Sequence, residues 1–119
     1  MTTLTTTTVD FAKVWSDARA AANVAAMQEN AKLGPEESRG LDCGFAWLHF
    51  PGNTAWARWT KKAGLSGKNY PTGLSIWYSK LHDIPTQSLS VHEAAVRAAR
   101  DVIVFALQDD RIYVGSRYD

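Results

Sequence analysis

CGFAWLHF, residues 43–50, is the stretch on which the fold turns. Read at the two-residue period of a strand, Cys43, Phe45, Trp47 and His49 fall on one face and Gly44, Ala46, Leu48 and Phe50 on the other. Both sets are mainly apolar, which predicts a central strand covered on two sides. Pro51-Gly52 ends it, because proline brings no N–H to the ladder.

Downstream, TAWARWTKKAG (residues 54–64) has helical spacing over 54–63, with Asn53 as a cap and Gly64 as a stop. At about 100° per residue, Trp56, Trp59, Thr60 and Ala63 share one side, and Arg58, Lys61 and Lys62 share the other. The tryptophans therefore read as core anchors and the basic side as surface. GLSGKNYPTG (64–73) reads as a loop, and the β-branched and aromatic LSIWYSK (74–80) as a second strand. TQSLS (86–90) reads as a short third strand closing a hairpin.

Ser90-Val91-His92-Glu93 has the S-x-x-E form of a capping box. Beyond it Val91, Ala94, Ala95, Ala98, Val102 and Phe105 recur at helical spacing, with Val96, Ala99 and Ile103 widening the apolar face. Asp109-Asp110 marks a turn, and residues 111–117 make a last strand with Ile112 and Val114 inward.

Upstream, residues 34–42 are polar and bounded by glycines, a loop. Residues 9–33 hold no glycine or proline and carry Phe11, Trp15, Ala18, Ala22 and Ala25 at three- and four-residue steps, an amphipathic helix. Thr8 or Asp10 is its cap and Gly34-Pro35 its stop. The narrow alanine stripe suits close approach of a neighbour, a second copy of the chain included. Residues 1–8 are threonine-rich and read as a frayed tail. The expectation is an α+β fold: an N-terminal helix, then β-α-β-β-α-β, with helices packed on a small, mainly antiparallel sheet.

At 119 residues, 45% of them hydrophobic, the chain suits one domain over 1–119, its core in 43–119. A formal charge of +1 excludes a polyanion binder of the histone kind, so any electrostatic attraction is local. A single cysteine, Cys43, excludes an internal disulfide and a cysteine-cluster zinc site, and it fits a reducing compartment. The sequence has no run of 18 apolar residues, and MTTLTTTTVD lacks the basic and apolar regions of a secretory signal. A soluble, cytoplasmic protein with no membrane partner is expected.

Little in the chain has the pattern of catalysis. Cys43 with His49 or His92 is the nearest approach to a thiol and base, but a cysteine on an apolar strand is ordinarily a small hydrophobe. His49, His82 and His92 match no standard metal-ligand spacing. Gly64-Leu65-Ser66-Gly67-Lys68-Asn69 is not a phosphate loop, which needs four residues between its glycines and Ser or Thr after the lysine. It does satisfy the G-x-x-G form that approaches nucleic-acid backbones between two helices, though Asn69-Tyr70-Pro71 is a poor helix start. No catalytic residue, metal or cofactor is expected.

The stronger signal is regional. From residue 43 to 82 there is no Asp or Glu, while Arg58, Lys61, Lys62, Lys68 and Lys80 give a local charge of +5. The same window holds eight of the 13 aromatic residues. Basic groups neutralise phosphates and rings stack on unpaired bases, so the window suits a nucleic acid or a nucleotide-like anion. Arg58, Lys61, Lys62, Lys68 and Arg117 are the candidate phosphate contacts, and Tyr70, Trp77 and Tyr113 the candidate stackers. The competing reading places the tryptophans in the core and leaves the basic face merely solvated.

CGFAW at 43–47, the IWYS strand at 76–79, QSLSVHEA at 87–94 and GSRYD at 115–119 together resemble a group of small proteins encoded in phages and prophages. The likeness covers 43–119 and carries over no site. It implies an accessory protein working in the cytoplasm of a bacterial host, and with it a second function class, an inhibitor binding a host or anti-phage defence protein through the N-terminal helix or an aromatic patch.

Overall fold

The structure, a computed structural model, describes residues 9–35, 43–68 and 72–118. The expected tail at 1–8 and the candidate Tyr70 lie outside these residues. In chain order the elements are α1 (Phe11–Leu33), β1 (Gly44–Phe50), α2 (Ala55–Lys62), β2 (Gly67–Lys68), β3 (Leu74–Trp77), α3 (Leu89–Leu107) and β4 (Tyr113–Tyr118). The strands form one antiparallel sheet in the order β2-β3-β1-β4. With α1 set aside, this is the split β-α-β arrangement, in which β1 and β3 are central and adjacent. The expected α+β class, with the N-terminal helix first, is what the chain adopts.

α1 starts at Asp10, whose Oδ1 accepts from the Lys13 N–H at 3.1 Å, and stops at Gly34, at φ +75°. Val14, Ala18, Ala22 and Ala26, four residues apart, are buried. Alanine at three of the four steps lets α3 approach closely, and α3 presents Val91, Ala95, Ala99 and Ile103 to the same core. The neighbour that the stripe approaches within this chain is thus α3.

One face of the sheet completes this core. Ala46, Leu48 and Phe50 of β1 and Leu74 and Ile76 of β3 are buried with the helices. Fully burying a Leu or Ile side chain contributes about 1.5–3 kcal/mol, so Leu48, Leu74 and Ile76 each add substantially to the hydrophobic stabilisation. α2 begins at Thr54, whose Oγ1 accepts from the Ala57 N–H at 3.0 Å, rather than at Asn53. Its Trp56 is wedged between Phe50 (6.2 Å between ring centroids) and Phe11 (5.7 Å), and Trp59 stacks on it at 5.7 Å. Gly64, at φ +77°, closes the helix as expected.

Four expectations are corrected. The hairpin partner of β3 is β2, inside the presumed loop, because Gly67 and Lys68 pair with Ser75 and Leu74; residues 86–90 contribute a single bridge, Ser88 to Cys43. β3 ends at Trp77, where Tyr78–Lys80 turns as a short 3-10 helix. α3 starts two residues early, with Ser88 at the cap position, so Ser90 lies inside the helix and Glu93 accepts from the Ser116 hydroxyl at 2.5 Å instead. Phe105 is not core but 78% exposed.

Candidate functional site

A further correction opens one face of the sheet. β1 is central, but it is covered on one side only: Phe45, Trp47 and His49 project from the face away from the helices and are only half-buried. Register fixes their neighbours. Phe45, Trp47 and His49 stand opposite Arg117, Gly115 and Tyr113 of β4, and Trp47 stands opposite Trp77 of β3. Residues paired across strands share a face, so all of these belong to one surface.

The rings on it meet in two groups. Trp47 and Trp77 lie 5.0 Å apart between centroids, and Phe45 meets Trp77 edge-on at 6.0 Å. His49 and Tyr113 lie 4.7 Å apart, and the Arg117 guanidinium sits 5.8 Å from the Phe45 centroid. Such aromatic pairs are worth about 0.5–1.5 kcal/mol beyond the area they bury. The outer members remain open: Trp77 is 40% exposed and Tyr113 52%. Two glycines make room. A Cβ on Gly115 would overlap the Trp47 indole, and one on Gly73, at φ +86°, would crowd the His49 ring at 2.9 Å. A cleft of about 300 Å³ at the His49 end is lined by His49, Thr72, Gly73, Arg111 and Tyr113. Arg111 is tied there to Asp109, Nε and Nη2 each donating at 2.9 Å, and this pairing holds the Asp109 carboxyl below its usual range.

Of the residues singled out in the sequence, Trp77, Tyr113 and Arg117 are brought together on this face. Arg58, Lys61 and Lys62 are exposed, as their spacing implied, but on α2, in the helix layer behind the sheet. Lys68 pairs with Leu74, a core-facing position, and so stands at the β2 edge on the helix side. The exposed basic groups of α2 and β2 and the rings of the open face therefore stand in different layers. Phe45, Trp47 and His49 were the residues missed. Their signal was present in the alternation of β1, where the face with His49 and Cys43 is the more polar of the two.

Cys43 is half-exposed, its Sγ donating to Gln87 Oε1 at 3.5 Å, whereas His92 is buried against His82, Nδ1 to Nε2 at 2.9 Å, with the Tyr78 ring stacked on it at 3.7 Å. Among the described residues no group of three or more His, Cys, Asp or Glu is placed to hold a metal ion. The G-x-x-G segment joins the end of α2 to β2, not two helices. No described helix is long and apolar enough to cross a membrane. Comparison with family models, curated proteins and solved structures yields no significant match.

Proposed function

We propose that the chain is a non-enzymatic binding protein that takes single-stranded nucleic acid on the open face of its sheet. The observation that carries this reading is the Trp47–Trp77 pair on the two central strands, flanked by His49 and Tyr113 on one side and Phe45 and Arg117 on the other. Exposed rings stack on unpaired bases for about 1–3 kcal/mol each, without needing a particular base. RNA-recognition modules use the same device, rings on the central strands of a four-stranded sheet backed by helices. A fold is shared by many functions, so the support lies in the rings and not in the topology.

On this reading Trp77 and Tyr113 stack on bases and Arg117 meets a phosphate. Arg58, Lys61, Lys62 and Lys68, on the far layer, serve only a strand long enough to pass round the β2 edge. With few cations on the face, binding weakens gently with salt, the logarithm of affinity falling by about 0.7 per phosphate contact for each tenfold rise in salt. The phage likeness belongs to the same proposal, as an accessory role inside a bacterial host.

The test is fluorescence anisotropy with labelled single-stranded DNA and RNA of six and twenty nucleotides at two salt concentrations, with tryptophan quenching read in parallel. Quenching with a shallow salt slope is expected. No binding at low salt would remove the proposal. It would favour a protein-binding inhibitor, a reading supported by Phe105, exposed on a cleft rimmed by Asp101, Asp109 and Asp110.

A further inference from the structure

The two edges of the sheet are treated differently. β2 is two residues long, and a very short edge strand is one way of denying a template to other chains. β4, at the other edge, is six residues long, and it carries no proline and no lysine. Its outer backbone edge meets no described strand.

We propose that β4 is the pairing edge of a symmetric dimer, in which two copies of this chain join their sheets antiparallel into one of eight strands, with Gly115 on the two-fold axis. The register follows from the side chains. If both open faces lie on the same side of the joined sheet, paired positions must share a face, so the two residue numbers sum to an even value. Centring on Gly115 overlaps nearly all of β4 and sets Tyr113 opposite the second copy's Arg117, twice. Both side chains are exposed and on the open face, and a guanidinium against a tyrosine ring is a favourable cross-strand pair. Glycine at the centre leaves nothing to collide with its own image.

The helix layer shows where the axis falls. Behind β4 runs a groove of about 280 Å³ lined by Arg97, Arg100, Asp101 and Val114. α3 is aligned with β4 by two contacts, Ser116 to Glu93 and the Arg100 Nε–H to the Ile112 carbonyl at 2.9 Å. The axis at Gly115 therefore passes α3 between them, beside Arg97. Arg97, 66% exposed there, is ion-paired within its own chain to Glu93, one turn away, at 4.0 Å. The joined sheet doubles the aromatic face, but the pairing does not depend on what that face binds.

Light scattering on the nucleic-acid-free protein tests this directly. The expected mass at high concentration is twice 13.1 kDa. Tyr113→Arg sets arginine against arginine at both cross-strand pairs and is expected to give a folded monomer, with at least a tenfold weaker dimer. The exchange Tyr113→Arg with Arg117→Tyr restores both pairs with their sides reversed, and should restore the dimer. Hydrogen exchange at residues 113–117 should slow as concentration rises. A single-chain mass at several hundred micromolar overturns the proposal. So does a dimer that Tyr113→Arg leaves intact, or one in which exchange over 113–117 is independent of concentration.

Discussion

The Trp47 indole occupies the space that a side chain at Gly115 would need. The two residues are cross-strand partners, and the ring on β1 is held against bare backbone on β4 while its neighbour Trp77 closes from β3 at 5.0 Å. The glycine is thus part of the aromatic surface. Gly115→Ala should force the indole away and cost about 1–3 kcal/mol, the usual range for inserting a methyl group where there is no room. Urea unfolding measures the loss, and a red shift of tryptophan emission reports the displaced ring. An unchanged midpoint would mean that Trp47 is free to move aside.

On the proposed reading, the rings of the open face and the basic side of α2 have separate roles. Trp77→Ala should weaken binding of a six-nucleotide strand by about 5- to 150-fold, the equivalent of one lost stack at about 1–3 kcal/mol. The double change Lys61→Glu with Lys62→Glu, on the helix layer, should leave the six-nucleotide strand almost untouched and weaken the twenty-nucleotide one. Anisotropy titrations with both lengths distinguish the outcomes. Equal losses at both lengths would mean that α2, not the sheet, is the principal contact.

α1, β1, α3 and β4 were legible in the sequence because each is long enough to show its period, and Gly34 and Gly64 fell where a left-handed residue was needed. β2 was not, since two residues carry no period and Gly67-Lys68 is a strand only through pairing with Ser75 and Leu74. The start of α3 was misplaced by two residues for a related reason. Ser88 and Ser90 are equally good caps in isolation, and the Ser88–Cys43 bridge helps fix where the helix begins. The open face was hidden for a tertiary reason: alternation shows that Phe45, Trp47 and His49 share a side, but not on which side the helices will pack. The segregation of Trp56 from Lys61 and Lys62 around α2 was readable, because that is settled within one helix.

The alanine stripe of α1 predicts intolerance of bulk. Ala22 is fully buried where α1 meets α3, so Ala22→Leu should destabilise by about 1–3 kcal/mol through displaced backbone. Val24, two residues along and more than half exposed, should accept serine within about 0.5 kcal/mol. Thermal unfolding of both variants checks the contrast. A tolerated leucine would place the helices farther apart than this packing allows.

A pH dependence follows from the buried histidines that anchor the turn after Trp77. The Ile84 N–H donates to His82 Nδ1 at 3.0 Å, so that nitrogen is bare and the ring proton sits on Nε2, directed at His92 Nδ1 at 2.9 Å. Tyr78, from the turn that follows Trp77, stacks on His92, and the charged group nearest to His82 is Asp83, itself paired with Arg19 at 3.1 Å. Burial pulls the His82 imidazole below its ordinary 6.5, against the opposing pull of Asp83. The folded chain therefore keeps His82 neutral at a pH where the unfolded chain has already taken up a proton. Proton uptake by the unfolded state favours unfolding, so this contribution to stability is complete above about pH 6.5 and declines as the pH falls below it. Urea midpoints at pH 7.5, 6.5, 5.5 and 4.5 should decrease in that order, most steeply below 6.5. His82→Ala should be less stable at pH 7.5 yet lose less on acidification, and an equal loss in both proteins would assign the acid sensitivity to other groups.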